Sequence, residues 1–212
     1  LSSAVLYGQK YQDVGQFTPR MGVAGLVENG SKERFMLGGN PLYETYYNGE
    51  PLGDTFNEDY SQIMILKFNE NNELLDFEQI IDTGYSFGLG AQYSNNLVIN
   101  DKSEIFFPIS QYTDSLLYRG ELLSYAPDSS SNLGGVIGMD SDLNIIFKKF
   151  FPQDVFVQSV ETWNDRVYVM GNFRGDSITM HGVTLHYMDE FASTGLGTNY
   201  IMVFDQHTGE VL

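Results

Sequence analysis

The chain has 212 residues, with 28 Asp and Glu against 11 Lys and Arg, a formal net charge of −17. That balance excludes the phosphate-neutralising patch that nucleic-acid binding needs, and the absence of Cys excludes disulfides, thiolate metal sites and cysteine nucleophiles. No apolar run approaches the length of a membrane-spanning helix, and 14 Tyr with 15 Phe point to strands rather than helices.

Residues 1–20, opening "LSSAVLYGQK", have neither an initiator Met nor a basic-then-apolar leader and read as a lead-in strand. The first repeating unit is expected over 21–83. "VAGLVENGSKE" gives a strand and polar turn, "RFMLGGN" a second strand, then a long connection carries Gly49-x-x-Leu52. "QIMILKFNENNELLDFEQII" closes the unit as a hairpin around Asn69 to Glu73. The second unit, 84–152, runs in the same order: "AQYSNNLVINDKSE", "EIFFPISQ", Gly120-x-x-Leu123, and a hairpin around Asp140 to Asn144. The third, 153–212, repeats it with "VFVQSVETWND", "RVYVMGNF", Gly182-x-x-Leu185 and "TNYIMVFDQHTGEVL". The turn openers Asn69, Asp140 and Asp205 stand 71 and 65 residues apart, and the Gly-x-x-Leu glycines 71 and 62 apart. Three anchors in one order, three times over, are the signature of a structural repeat.

Four antiparallel strands in 60 to 70 residues predict a propeller-type blade with one enlarged loop, so the expected fold is all-β, about three blades, part of a larger β-propeller. The innermost strands "IMILKF", "VIGM" and "YIMVF" are nearly continuous apolar runs, as expected where neighbouring blades cover both faces. The closing hairpin has only the start of its return strand. The chain is therefore expected to continue in the natural protein, with closure by "SAVLYGQKYQ" as the other possibility.

The segment from Val167 to the end resembles the bacterial β-propeller repeats known as SBBP repeats, through Gly171, Phe173, Gly182, Leu185, Gly195, Gly197, Phe204, Asp205 and Gly209. Unit two departs from that pattern at Pro108 and Ser110, and unit one has Asn69 in place of the Asp. The resemblance implies a secreted or surface-displayed bacterial protein, in some cases cargo of the type IX route, with a binding or scaffolding role.

Chemistry is sparsely signalled. Loop acids Glu44, Asp54, Glu58, Asp59, Asp189 and Glu190 could supply the carboxylate pair of a carbohydrate-active hydrolase, but none sits in an apolar setting that would raise a pKa, so they read as solvated surface. Asp140, Asp142 and Asn144 alternate as oxygen ligands would for calcium, without the Gly and bidentate Glu of an EF-hand, and Asx turns explain the same letters. His181, His186 and His207 lack ligand spacing, and no cofactor motif is present. The tyrosine-rich connections stand out. Tyr43, Tyr46, Tyr47 and Tyr60 in unit one, and Tyr112, Tyr118 and Tyr125 in unit two, offer apolar faces with one hydroxyl, suited to a protein or glycan partner or to stapling loops onto blades. The expectation is a non-catalytic extracellular recognition or scaffold module. Its expected partners are a cell-surface protein or glycan, further blades of the same polypeptide or a secretion-system component. A hydrolase fragment and a passive spacer of a large adhesin are the competing readings.

Overall fold

The computed structural model describes residues 17–18, 22–40, 45–52, 61–83, 97–111, 114–126, 133–186 and 198–212. They form an all-β protein of mainly antiparallel sheets. In the first unit, β1 is Phe17–Thr18, β2 Gly22–Glu28, β3 Arg34–Asn40, β4 Thr45–Tyr47, β5 Glu50–Leu52, β6 Ser61–Phe68 and β7 Leu74–Asp82. Strands β2, β3, β6 and β7 pair in that order as an antiparallel meander. The second unit repeats this with β8 (Val98–Ile99), β9 (Ile105–Gln111), β12 (Leu133–Met139) and β13 (Ile145–Phe150), the hairpin β10 (Asp114–Tyr118) and β11 (Glu121–Ala126) lying between β9 and β12. In the third, β14 (Val155–Trp163), β15 (Arg166–Phe173) and β18 (Thr198–Asp205) pair in order, with the hairpin β16 (Ser177–Met180) and β17 (Val183–His186) before β18. Its fourth position holds a single bridge, Phe204 to Val211. A parallel contact between Leu133 and Val155 joins the second and third meanders into one sheet.

The three meanders stack through their side chains, because alternate residues of a strand point to opposite faces. Phe35, Leu37, Ile63 and Ile65 of the first pack against Ile105, Phe107, Ile137 and Met139 of the second. The opposite face of the second, Phe106, Val136 and Phe147, packs on Val167, Val169, Tyr200, Met202 and Phe204 of the third. The other face of the first meander, Met36, Met64, Leu66 and Phe68, is buried with Leu52 of β5 and Tyr47 of β4. Close approach within the third meander also requires glycine: a Cβ on Gly171 of β15 would lie 1.9 Å from the Phe156 carbonyl oxygen of β14.

Two expectations need correction. The connection holding Gly-x-x-Leu is not one enlarged loop but a β-hairpin in every unit. Its turn residues Asn48–Gly49, Arg119–Gly120 and His181–Gly182 all have positive φ, the type I′ geometry that matches the twist of paired strands. The Gly of the motif supplies the second of these conformations, and the Leu three residues on turns inward from the return strand: Leu52, Leu123 and Leu185 each pack on a core. The second correction concerns "YIMVF". Only its Tyr200, Met202 and Phe204 side is buried, whereas Ile201 is 68% exposed.

Candidate functional site

Four hairpin turns share one construction. Asn29, Asn69, Asn100 and Asp140 each open a turn whose side-chain Oδ1 accepts from the backbone N–H two and four residues later. The fourth residue, Lys32, Asn72, Ser103 or Leu143, has φ between 59° and 66°. In three turns the opener's amide also donates to the carboxylate of the closing Glu33, Glu73 or Glu104. At Asp140 the polarity is reversed, with Asn144 donating to the Asp140 carboxylate. The alternation Asp140, Asp142, Asn144 is thus part of a backbone closure made equally well by Asn elsewhere. Asn144 Oδ1 accepts from Arg119 at 2.9 Å. Among the described residues, no group of three His, Asp or Glu side chains could hold a metal ion.

The tyrosines divide. Tyr47 immediately precedes its hairpin turn, donates to the carbonyl of Asn72 at 3.2 Å and stands edge-on to Phe68. Tyr118 occupies the same position in the second unit, is buried, and donates to the carbonyl of Leu143 at 2.5 Å. Asn72 and Leu143 are themselves equivalent, both being the left-handed residue of an Asx-opened turn. The two rings therefore tie the inserted hairpin to the outer turn of the same unit. Loss of water pushes the Tyr118 phenol up to about 12. Met180 takes the position in the third unit and packs into the core without a hydroxyl. Tyr46 is half-buried on β4.

Tyr125 differs. It lies on β11 opposite Ser115 and is 56% exposed, and Leu122, opposite Leu117, is exposed on the same hairpin. Strand β10 extends the first meander by pairing with β7, so β11 becomes the sheet's outer strand. The opposite side of the hairpin is anchored by Leu116 and Tyr118 in the core. A bulge between Leu116 and Leu117 shifts the register, which lets Leu123 pack on that core while Leu122 faces out. The same bulge brings Leu122 and Tyr125, three residues apart, to one face where strict alternation would separate them, and sequence reasoning missed Leu122 for that reason. Beside this face Arg119 lies over the Tyr118 ring and pairs with Glu78 at 2.5 Å. Tyr43, Tyr60 and Tyr112 lie outside the described residues, as do Glu44, Asp54, Glu58, Asp59, Asp189 and Glu190.

The histidines are not brought together. His181 packs edge-on against Phe151 and Phe204, and burial followed by the nearby Lys149 charge lowers its pKa. His186 is exposed at the end of β17. His207 joins an exposed cluster where Lys102 contacts Asp165 at 2.5 Å and holds its carboxyl below the usual range. Gln206 bonds Glu104 and Asn100 nearby, so the turns at 100–104, 164–165 and 205–209 are linked across two units. No family model matches the chain, and no curated protein matches its sequence.

Proposed function

We propose that the chain is a non-catalytic extracellular recognition or scaffold module built from propeller-type blades of the SBBP kind, belonging to a secreted or surface-displayed bacterial protein. It engages a protein or glycan partner through the inserted hairpins. The observation that carries the reading is the pair Leu122 and Tyr125, apolar and aromatic side chains held in water on a hairpin whose other side is anchored in the core. A rigid ring with one hydroxyl stacks on a sugar or packs into a partner's pocket at small entropy cost. The stapled Tyr47 and Tyr118 support that role indirectly, since they fix the hairpins that present the contact residues.

Native affinity electrophoresis against a panel of soluble bacterial and plant polysaccharides, with chemical cross-linking to cell-surface protein extracts, tests the reading. Retardation or cross-linking that Tyr125→Ala and Leu122→Ala remove, with the circular dichroism spectrum unchanged, is expected. Binding that survives both substitutions would place the contact elsewhere, and turnover of any polysaccharide would replace the module with a hydrolase.

A further inference from the structure

The inserted hairpins hold equivalent places in the three units, yet their outer strands differ. β5 is 3 residues long and contains Pro51, which has no N–H to donate, and β17 is 4 residues long. β11 is 6 residues long, "ELLSYA", with neither Pro nor Lys to blunt an edge. Among the described residues it pairs with β10 alone, at the end of the six-stranded order β11-β10-β7-β6-β3-β2.

The backbone register fixes what that outer edge carries. Ser115 of β10 spends both of its backbone groups on the β7 side: its carbonyl accepts from the Thr83 N–H at 2.9 Å, and its N–H donates to Thr83 Oγ1 at 3.1 Å. Tyr125 lies opposite Ser115, so the two form a non-hydrogen-bonded pair, and the Tyr125 N–H and C=O point away from β10. Leu122 stands in the same way. Its neighbour Glu121 pairs with Tyr118 across the two-residue turn, where the hydrogen bonds close the hairpin, and alternation turns the Leu122 backbone outward. The two residues whose side chains stand in water therefore also present backbone donors and acceptors to it.

We infer that the partner engaged by this hairpin is a protein segment in extended conformation, apolar and basic, that adds to β11 as a further strand of the sheet. The inference rests on the recognition reading of the same hairpin and narrows its partner to a peptide backbone. A sugar stacks on the Tyr125 ring but lacks the alternating N–H and C=O groups that a strand edge matches. The edge is fixed before binding by the pairing of β10 with β7, by Leu116 and Tyr118 in the core and by the Tyr118 hydroxyl, so little ordering is lost on association. Charge selects a basic strand. Arg119 is taken up by Glu78, Glu121 is exposed where β11 begins, and the whole chain carries −17. The same charge opposes pairing of β11 with β11 of a second copy.

The probe is an acetylated, amidated peptide as long as β11, 6 residues, that alternates Lys with Val and Tyr. Its twin is N-methylated throughout, which keeps charge and side chains and removes every N–H. Amide hydrogen exchange of the protein and anisotropy of the labelled peptide are measured at ~0.15 M ionic strength, where the Debye length is about 8 Å. The Leu122 and Tyr125 amides should exchange fast in the free chain and slow down on peptide addition. The twin should bind about tenfold or more weakly. Tyr125→Pro, which removes an outward N–H, should weaken the peptide further than Tyr125→Ala, which keeps it. Slow exchange of both amides in the free chain, a twin that binds equally, or no peptide binding at about 1 mM overturns the inference. Equal losses in the two variants, or binding of a polysaccharide alone, overturn it while leaving recognition through the ring intact. Peptide binding that neither variant changes places the contact off this hairpin and overturns both readings.

Discussion

Tyr118 shows how a residue suited to recognition is diverted to structure. Its hydroxyl reaches the Leu143 carbonyl in a buried setting, so Tyr118→Phe leaves that carbonyl without its partner. A loss of about 1–2 kcal/mol is expected in urea denaturation, and less for Tyr47→Phe, whose bond is longer and more exposed. The phenol's raised pKa has its own consequence. A tyrosine that ionises near 10 when unfolded and near 12 when folded favours the native state fully below pH ~10, and that contribution is lost as pH rises toward ~12. Alkaline unfolding followed by circular dichroism should begin in that window. Tyr118→Phe should flatten the fall in stability across that window, with buried Tyr200, also raised by desolvation, accounting for what remains. At the Asx turns the chemistry is interchangeable. Asp140→Asn should change stability by less than about 1 kcal/mol, since Asn already opens three such turns. Asp140→Ala should lose about 1 kcal/mol through two unmet N–H groups. Millimolar calcium should leave the Tm of the parent unmoved, whereas a rise abolished by Asp140→Asn would restore the metal reading.

At the scale of the element, glycine separates strain from collision. Gly120 holds φ +77° with open space around its missing Cβ, so Gly120→Ala meets only the left-handed penalty of about 1–2 kcal/mol. Gly171 is free of that strain, yet an added Cβ would strike the Phe156 backbone where β14 bulges beside β15. Gly171→Ala should therefore destabilise by about 3 kcal/mol or more, read by urea titration. Equal losses at both sites would refute the packing account of the third meander. The repeat itself was legible from spacing because turns demand particular residues: Asx to close a backbone, Gly for positive φ. The inserted hairpins were not legible. Strands of three to six residues, such as "TYY" with "EPL", carry too few alternations to show a period, and their pairing is set by the I′ turn and the core beneath them.

For the whole molecule, the net charge of −17 opposes compaction. Raising salt from about 0.01 M to about 0.15 M shortens the Debye length from roughly 30 to 8 Å, and the Tm should rise, because more like-charge repulsion is screened than the few exposed ion pairs contribute. A fall in Tm would mean that pairs such as Lys102 with Asp165 outweigh the repulsion. The sequence by itself determined the all-β class, the order of the strands outside the inserted hairpins, and the Asx residues that open the polar turns between them. All of these follow from local conformational preference and from periodicity along one chain. Only the tertiary structure decided, among the described residues, that Tyr47 and Tyr118 are staples and that Tyr125 faces water. Tyr118 and Tyr125 are seven residues apart on one hairpin, and a register bulge with a core on one side separates their fates. It also decided that "IMILKF" is covered on both faces while "YIMVF" is covered on one. The apolar letters are alike, and burial depends on whether another sheet lies beyond.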